Sequence, residues 1–327
     1  MIGIYGILGC FNLGTWIWAF FAFHDKPVFL GTAFLAYTFC LRHAVDADHI
    51  AAIDNVTRKL MQEGRRPFSV GFFFSLGHST IVVVASLVVY LTAAVVATRF
   101  DAVKSAGAIV GTLISAFFLI AIGLVNIVIL RGVWQNFQEV RKGRGYNDLS
   151  LDMLLGGGML GRIFRPLVKM VSRPWHMYPI GILFGLGFDT ATEVALLGIS
   201  AAAAAKGISV IAMAVFPALF TAGMTLVDTT DGILMLGAYG WAFMNPIRKL
   251  YYNLTITFVS VIVALIVGGI EAFGLLKDQL NLAGGFWDFI GNLNGNFGTL
   301  GLVIIGVFAL SWAGSVIIYR VKGFDRF

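Results

Sequence analysis

His43, Asp46, Asp48 and His49 fall within one short run, Arg42-His43-Ala44-Val45-Asp46-Ala47-Asp48-His49-Ile50. Two imidazoles beside carboxylates suit nickel, cobalt, copper or zinc, whereas calcium and magnesium favour all-oxygen cages. On a continuous helix, at about 100° per residue, His43, Asp46 and His49 lie near 0°, −60° and −120° on one face, and Asp48 points away near 140°. That geometry makes Asp46 the expected direct ligand. Asp48 is then cast as a supporting group that orients a ligand or bridges to another helix. Arg42 shares the side of Asp46 and His49 and would balance charge when the site is empty.

Three other segments carry ionisable groups in apolar surroundings. His78 follows Gly77, whose missing side chain lets a neighbouring helix or an ion approach closely. Asp189 and Glu193 share a face at i, i+4, where like charges repel unless a proton or a cation bridges them. Thr225, Asp228 and Asp231 follow one another along one side at i, i+3, i+6. Hydrogen-bonded packing between helices is the plainer reading of each group. An ionisable residue at the bilayer centre costs about 2.5–3.5 kcal/mol, so it normally faces a cavity, a partner or an ion. Counted this way, seven carboxylates (Asp46, Asp48, Asp54, Asp189, Glu193, Asp228, Asp231) face one intramembrane cation, Arg42. Bound cations or protons must supply the missing positive charge.

The elements that hold these residues follow from composition. Hydrophobic residues make up 58% of the 327 and charged residues 12%, about half the charge of an ordinary soluble domain. A membrane-crossing helix needs about 20 mostly apolar residues. Eight segments qualify, near 3–23, 28–55, 68–98, 108–130, 178–204, 208–243, 251–274 and 297–319. They are uninterrupted rather than alternating, which argues against a β-barrel. The expected fold is an all-α polytopic membrane protein of eight transmembrane helices. Residues 1–130 form helices 1 to 4, 131–177 a long cytoplasmic loop, and 178–327 helices 5 to 8. The first segment has neither a basic leader nor a small-residue cleavage site, so it is expected to be retained. Cys10 and Cys40 fall inside spans and give no disulfide framework.

Orientation comes from Lys and Arg, which concentrate in cytoplasmic loops. The connections at 56–67, 131–177 and 244–250 with the C-terminal tail hold 17 of them, against 5 in the alternate connections. Both termini are therefore expected in the cytoplasm. The same asymmetry accounts for the net charge of +6 without a nucleic-acid partner. Residues 159–173 have the basic amphipathic pattern of a helix lying on the inner leaflet. No glycine-rich run ends in Gly-Lys-Ser or Gly-Lys-Thr, so the sequence offers no phosphate-cradling ATPase loop.

At this point the residues resemble a known family. The run from Arg42 to Ile50 is similar to the helix 2 signature of the nickel/cobalt transporter family. Leu76-Gly77-His78-Ser79-Thr80, Leu186 to Glu193 and Gly223 to Gly232 are similar to its other signatures, in the same order. The resemblance implies uptake of divalent nickel or cobalt across the cytoplasmic membrane by a single-component permease. The ion would be a substrate, with no cofactor and no obligatory ATPase subunit. It also maps the family's His, four residues, Asp-His pattern onto His43, Asp48 and His49, whereas the helix wheel favours Asp46 over Asp48. Two other classes are weighed: a membrane metalloenzyme, for which five histidines are few, and a proton-coupled carrier of another solute. The candidate metal residues are His43, Asp46, Asp48, His49, His78, Asp189, Glu193, Asp228 and Asp231.

Overall fold

A lipid-facing backbone has no water to bond, so each apolar segment closes its own hydrogen bonds as a helix. The structure, a computed structural model, describes residues 2–92, 100–141, 170–186, 191–242 and 246–321. Its described residues are helical, with the helices joined by turns. They are α1 Ile2–Phe23, α2 Pro27–His43, α3 Ala47–Gln62, α4 Val70–Thr92, α5 Phe100–Arg141, α6 Met177–Phe184 and α7 Ala191–Ala205. The four-residue α8 Val210–Met213 follows, then α9 Val215–Ala242, α10 Pro246–Leu280, α11 Gly285–Asn294 and α12 Phe297–Val321.

Among the described residues, five helical stretches are long and apolar enough to cross a membrane. There are up to seven spans if each of two pairs broken at a short interruption counts as one, α2 with α3 and α11 with α12. The expected span at 178–204 is divided into α6 and α7. The tether at 142–169 and Asp189 lie outside the described residues.

Three expectations need correction. The stretch 28–55 is not one continuous helix: α2 stops at His43, and the next helix starts at Ala47. Between them the amide of Val45 bonds the Arg42 carbonyl and that of Asp46 the His43 carbonyl, the tighter three-residue pattern that often closes a helix. The helix wheel drawn through this run therefore does not apply. Nor is 56–67 simply a loop, because α3 runs on to Gln62 and buries Arg58 and Lys59. Arg42, expected to balance the site, is exposed.

The chain forms two compact units. The first comprises Met1–Asp46, Ser69–Ser115 and Trp175–Thr230. Its core gathers Phe23, Ala36, Leu196, Phe216, Leu219 and Phe220 among others. Asn12 ties α1 in place, donating to the Ala222 carbonyl at 3.1 Å and accepting from the Tyr37 hydroxyl at 2.9 Å. Glycines let α4 and α6 touch through their backbones. A Cβ on Gly77 would sit 2.0 Å from the Tyr178 carbonyl oxygen, and one on Gly181 2.0 Å from that of Phe74. Gly77 thus admits a helix, one of the two approaches its missing side chain allowed.

The second unit comprises Ala47–Phe68, Ala116–Pro174 and Asp231–Phe327. There α10 packs on α3, α11 and α12. A buried polar network anchors α3. Arg58 Nη2 donates to both Asp54 oxygens, at 3.1 and 3.0 Å, and to the Ser260 hydroxyl. Ser260 in turn donates to Asp54 at 2.5 Å, and the Asn126 amide donates to Asn55 Oδ1. The Lys59 ammonium bonds the Val171 carbonyl and pairs with Glu63.

Candidate metal centre

Four of the singled-out side chains meet inside the first unit. His43 ends α2, Asp46 follows it in the turn, His78 comes from α4 and Glu193 from the first turn of α7. All four are buried, with 5% or less of each residue exposed. Backbone contact at Gly77 and Gly181 fixes the height of His78. Phe74 and Phe220 place rings 6.3 and 5.9 Å from those of His78 and His43, giving the imidazoles an apolar wall.

The polar atoms point inward at one another. His43 Nε2 and His78 Nε2 are 3.1 Å apart, His78 Nε2 and Glu193 Oε1 2.8 Å, and His43 Nε2 and Glu193 Oε1 3.7 Å. Ligands bound at about 2.1 Å with right to tetrahedral angles stand about 3.0–3.4 Å apart; the His43–His78 separation falls in that range, and shifts of about 0.2–0.3 Å would bring the other two into it. On the opposite side of its ring, His43 Nδ1 is 2.9 Å from Asp46 Oδ2. An ionised carboxylate only accepts. The His43 proton is thereby assigned to Nδ1, leaving the Nε2 lone pair facing His78 and Glu193. His78 Nε2 then donates to Glu193. Two imidazoles with one carboxylate in a buried site form a donor set for a divalent transition metal, which would displace that proton.

The other candidates are distributed as follows. Asp48 and His49 lie in the first turn of α3, the first half-buried and the second fully buried. Asp228 is buried on α9, where a Cβ on Gly71 would meet its backbone carbonyl at 1.9 Å. Asp231 is half-buried one turn on. Asp54 is engaged by Arg58 and Ser260. Sequence reasoning missed Arg58 as its partner, having assigned that residue to a loop. It also missed Glu271, a buried carboxylate within the apolar stretch Leu254–Leu280. The rule that found the other seven, an ionisable residue inside an apolar segment, was enough to find it.

Comparison with known proteins shows the family. The family described as high-affinity nickel-transport protein matches residues 29–318. The chain is 57% identical over 326 residues to a high-affinity nickel transport protein of Cupriavidus necator, covering 99% of this chain and 93% of the relative. It is 48% identical over 300 residues to the nickel transporter NicT of Mycobacterium tuberculosis, covering 90% and 80%. Its identity to the cobalt transport protein NhlF of Rhodococcus rhodochrous is 41% over 298 residues, covering 89% and 83%. No solved structure matches.

Proposed function

The chain belongs to the family of high-affinity nickel-transport proteins, and from that membership we propose that it imports nickel, and cobalt where available, through a buried site built on His43, His78 and Glu193. The family and its relatives are transporters, which sets the metalloenzyme reading aside and makes the metal a substrate. The apolar helices agree with a multi-pass membrane protein.

The observation that carries the site is the convergence of His43 Nε2, His78 Nε2 and Glu193 Oε1 within 3.7 Å of one another. His49 is a further proposed ligand. It stands three residues beyond Asp46, so no more than about 11 Å of chain separates them. In this reading the ion arrives from outside and exchanges water for these ligands. It leaves inward past the acidic residues Asp189, Asp228 and Asp231, with Asp48 supporting the entry turn.

The topology proposed with it has eight spans, α6 and α7 making up one. Both termini are cytoplasmic, and the cytoplasmic segment 131–177, into which α5 runs as far as Arg141, joins two halves of four in the inner membrane. The lipid bilayer and the ion are then the only partners needed, without an ATPase subunit.

Replacing His43 with Ala and following radiolabelled nickel uptake at limiting metal is the direct test. Uptake is expected to fall to background. Near-normal transport at low nickel would overturn the site.

A further inference from the structure

Asp46 lies where the proposed centre has no room for a fourth ligand from its side. The two nitrogens of an imidazole face apart, so an acceptor 2.9 Å from Nδ1 and an ion about 2.1 Å beyond Nε2 stand about 7 Å from each other. The second carboxylate oxygen, bound to the same carbon, cannot close that gap. A carboxylate behind the ring does something else: it fixes which nitrogen is protonated, locks the ring's rotation and makes the lone pair more basic. The break in the chain makes this contact possible. With α2 ended at His43 and the Asp46 amide bonded back to the His43 carbonyl at 2.9 Å, the Asp46 side chain turns onto the ring of its own turn.

We propose that Asp46 is a positioning residue, not a ligand: it holds His43 as the Nδ1–H tautomer and aims Nε2 at the transported ion. This rests on the reading of His43, His78 and Glu193 as the centre, and the experiment separates the two. Purified protein in detergent is titrated with nickel chloride by calorimetry, and nickel-edge X-ray absorption counts the ligands at saturation.

Asp46→Asn is expected to weaken nickel binding about 10–100-fold, with the same number of imidazole and oxygen ligands as the unmodified protein. In a His43→Ala background the same substitution should change affinity less than about twofold, because the residue through which it acts is gone. Asp46→Glu keeps a charged acceptor, whereas the asparagine amide oxygen is a neutral and weaker one, so it should bind more tightly than Asp46→Asn; it also stands in if the asparagine variant does not fold. Equal affinity for Asp46→Asn and the unmodified protein, with His43→Ala still weakened, would overturn the positioning role while leaving the centre. So would an oxygen ligand lost at saturation, or a further tenfold loss in the His43→Ala background. An unchanged affinity for His43→Ala would remove the centre itself, and the positioning role with it.

Discussion

His43 is engaged from both sides, by Asp46 through Nδ1 and by His78 and Glu193 through Nε2. Because metal competes with protons for the same lone pairs, uptake at limiting nickel should fall as pH is lowered. Saturating nickel should restore it. Initial rates between pH 5 and 8 at two nickel concentrations check this, and an acid loss that added nickel cannot rescue would put the titrating group elsewhere. Glu193→Gln keeps the shape but withdraws a charge, so nickel affinity should drop at least about tenfold in the same titration. The residue types and their grouping into four segments were legible in the sequence. The role of Asp46 was not, because a helix wheel assumes an unbroken helix and the turn after His43 is set by backbone bonding that spacing does not encode.

The elements are packed by their smallest residues. A methyl on Gly77 or Gly181 meets a backbone carbonyl at 2.0 Å, which no rotamer change relieves. Gly77→Ala and Gly181→Ala should each destabilise the detergent-solubilised protein by about 2–3 kcal/mol or more. Gly198→Ala on α7, with nothing within 4 Å of the added Cβ, should be neutral or stabilising by up to about 1 kcal/mol. Thermal unfolding of the three variants tests the contrast, and equal melting for all would refute the tight helix contact. In the second unit, Arg58→Ala leaves the Asp54 carboxylate in a buried site without its cation, a change that costs about 3–5 kcal/mol. Adding Asp54→Ala should recover part of that loss. Most apolar segments were legible from length and hydropathy, because nothing else satisfies a backbone in lipid. The boundaries were not: α3 carries two buried cations past the point where charge counting ends a span, and α11, ten residues with Phe286 and Phe289 exposed, is too short to register.

For the molecule as a whole, the Lys and Arg bias of the sequence, 17 in one set of connections against 5 in the other and still 15 without the buried Arg58 and Lys59, supports the proposed orientation. A cytoplasm-active reporter fused after Phe327 should therefore be active, and a periplasm-active one silent. Without a phosphate-binding loop in the sequence, the proposed energy source is the membrane potential, worth about 2.3 kcal/mol per charge per 100 mV and so about 4.6 kcal/mol for a divalent ion. That corresponds to an accumulation ceiling of roughly two thousandfold at −100 mV, since each 1.4 kcal/mol is about tenfold. In proteoliposomes with the potential clamped by a potassium gradient and valinomycin, the internal-to-external nickel ratio should approach unity at zero potential. It should then rise steeply as the interior is made negative. A ratio well above unity at zero potential and equal pH would show that the ion moves against its gradient by another source. A ratio that responds instead to an imposed pH gradient would identify protons as that source.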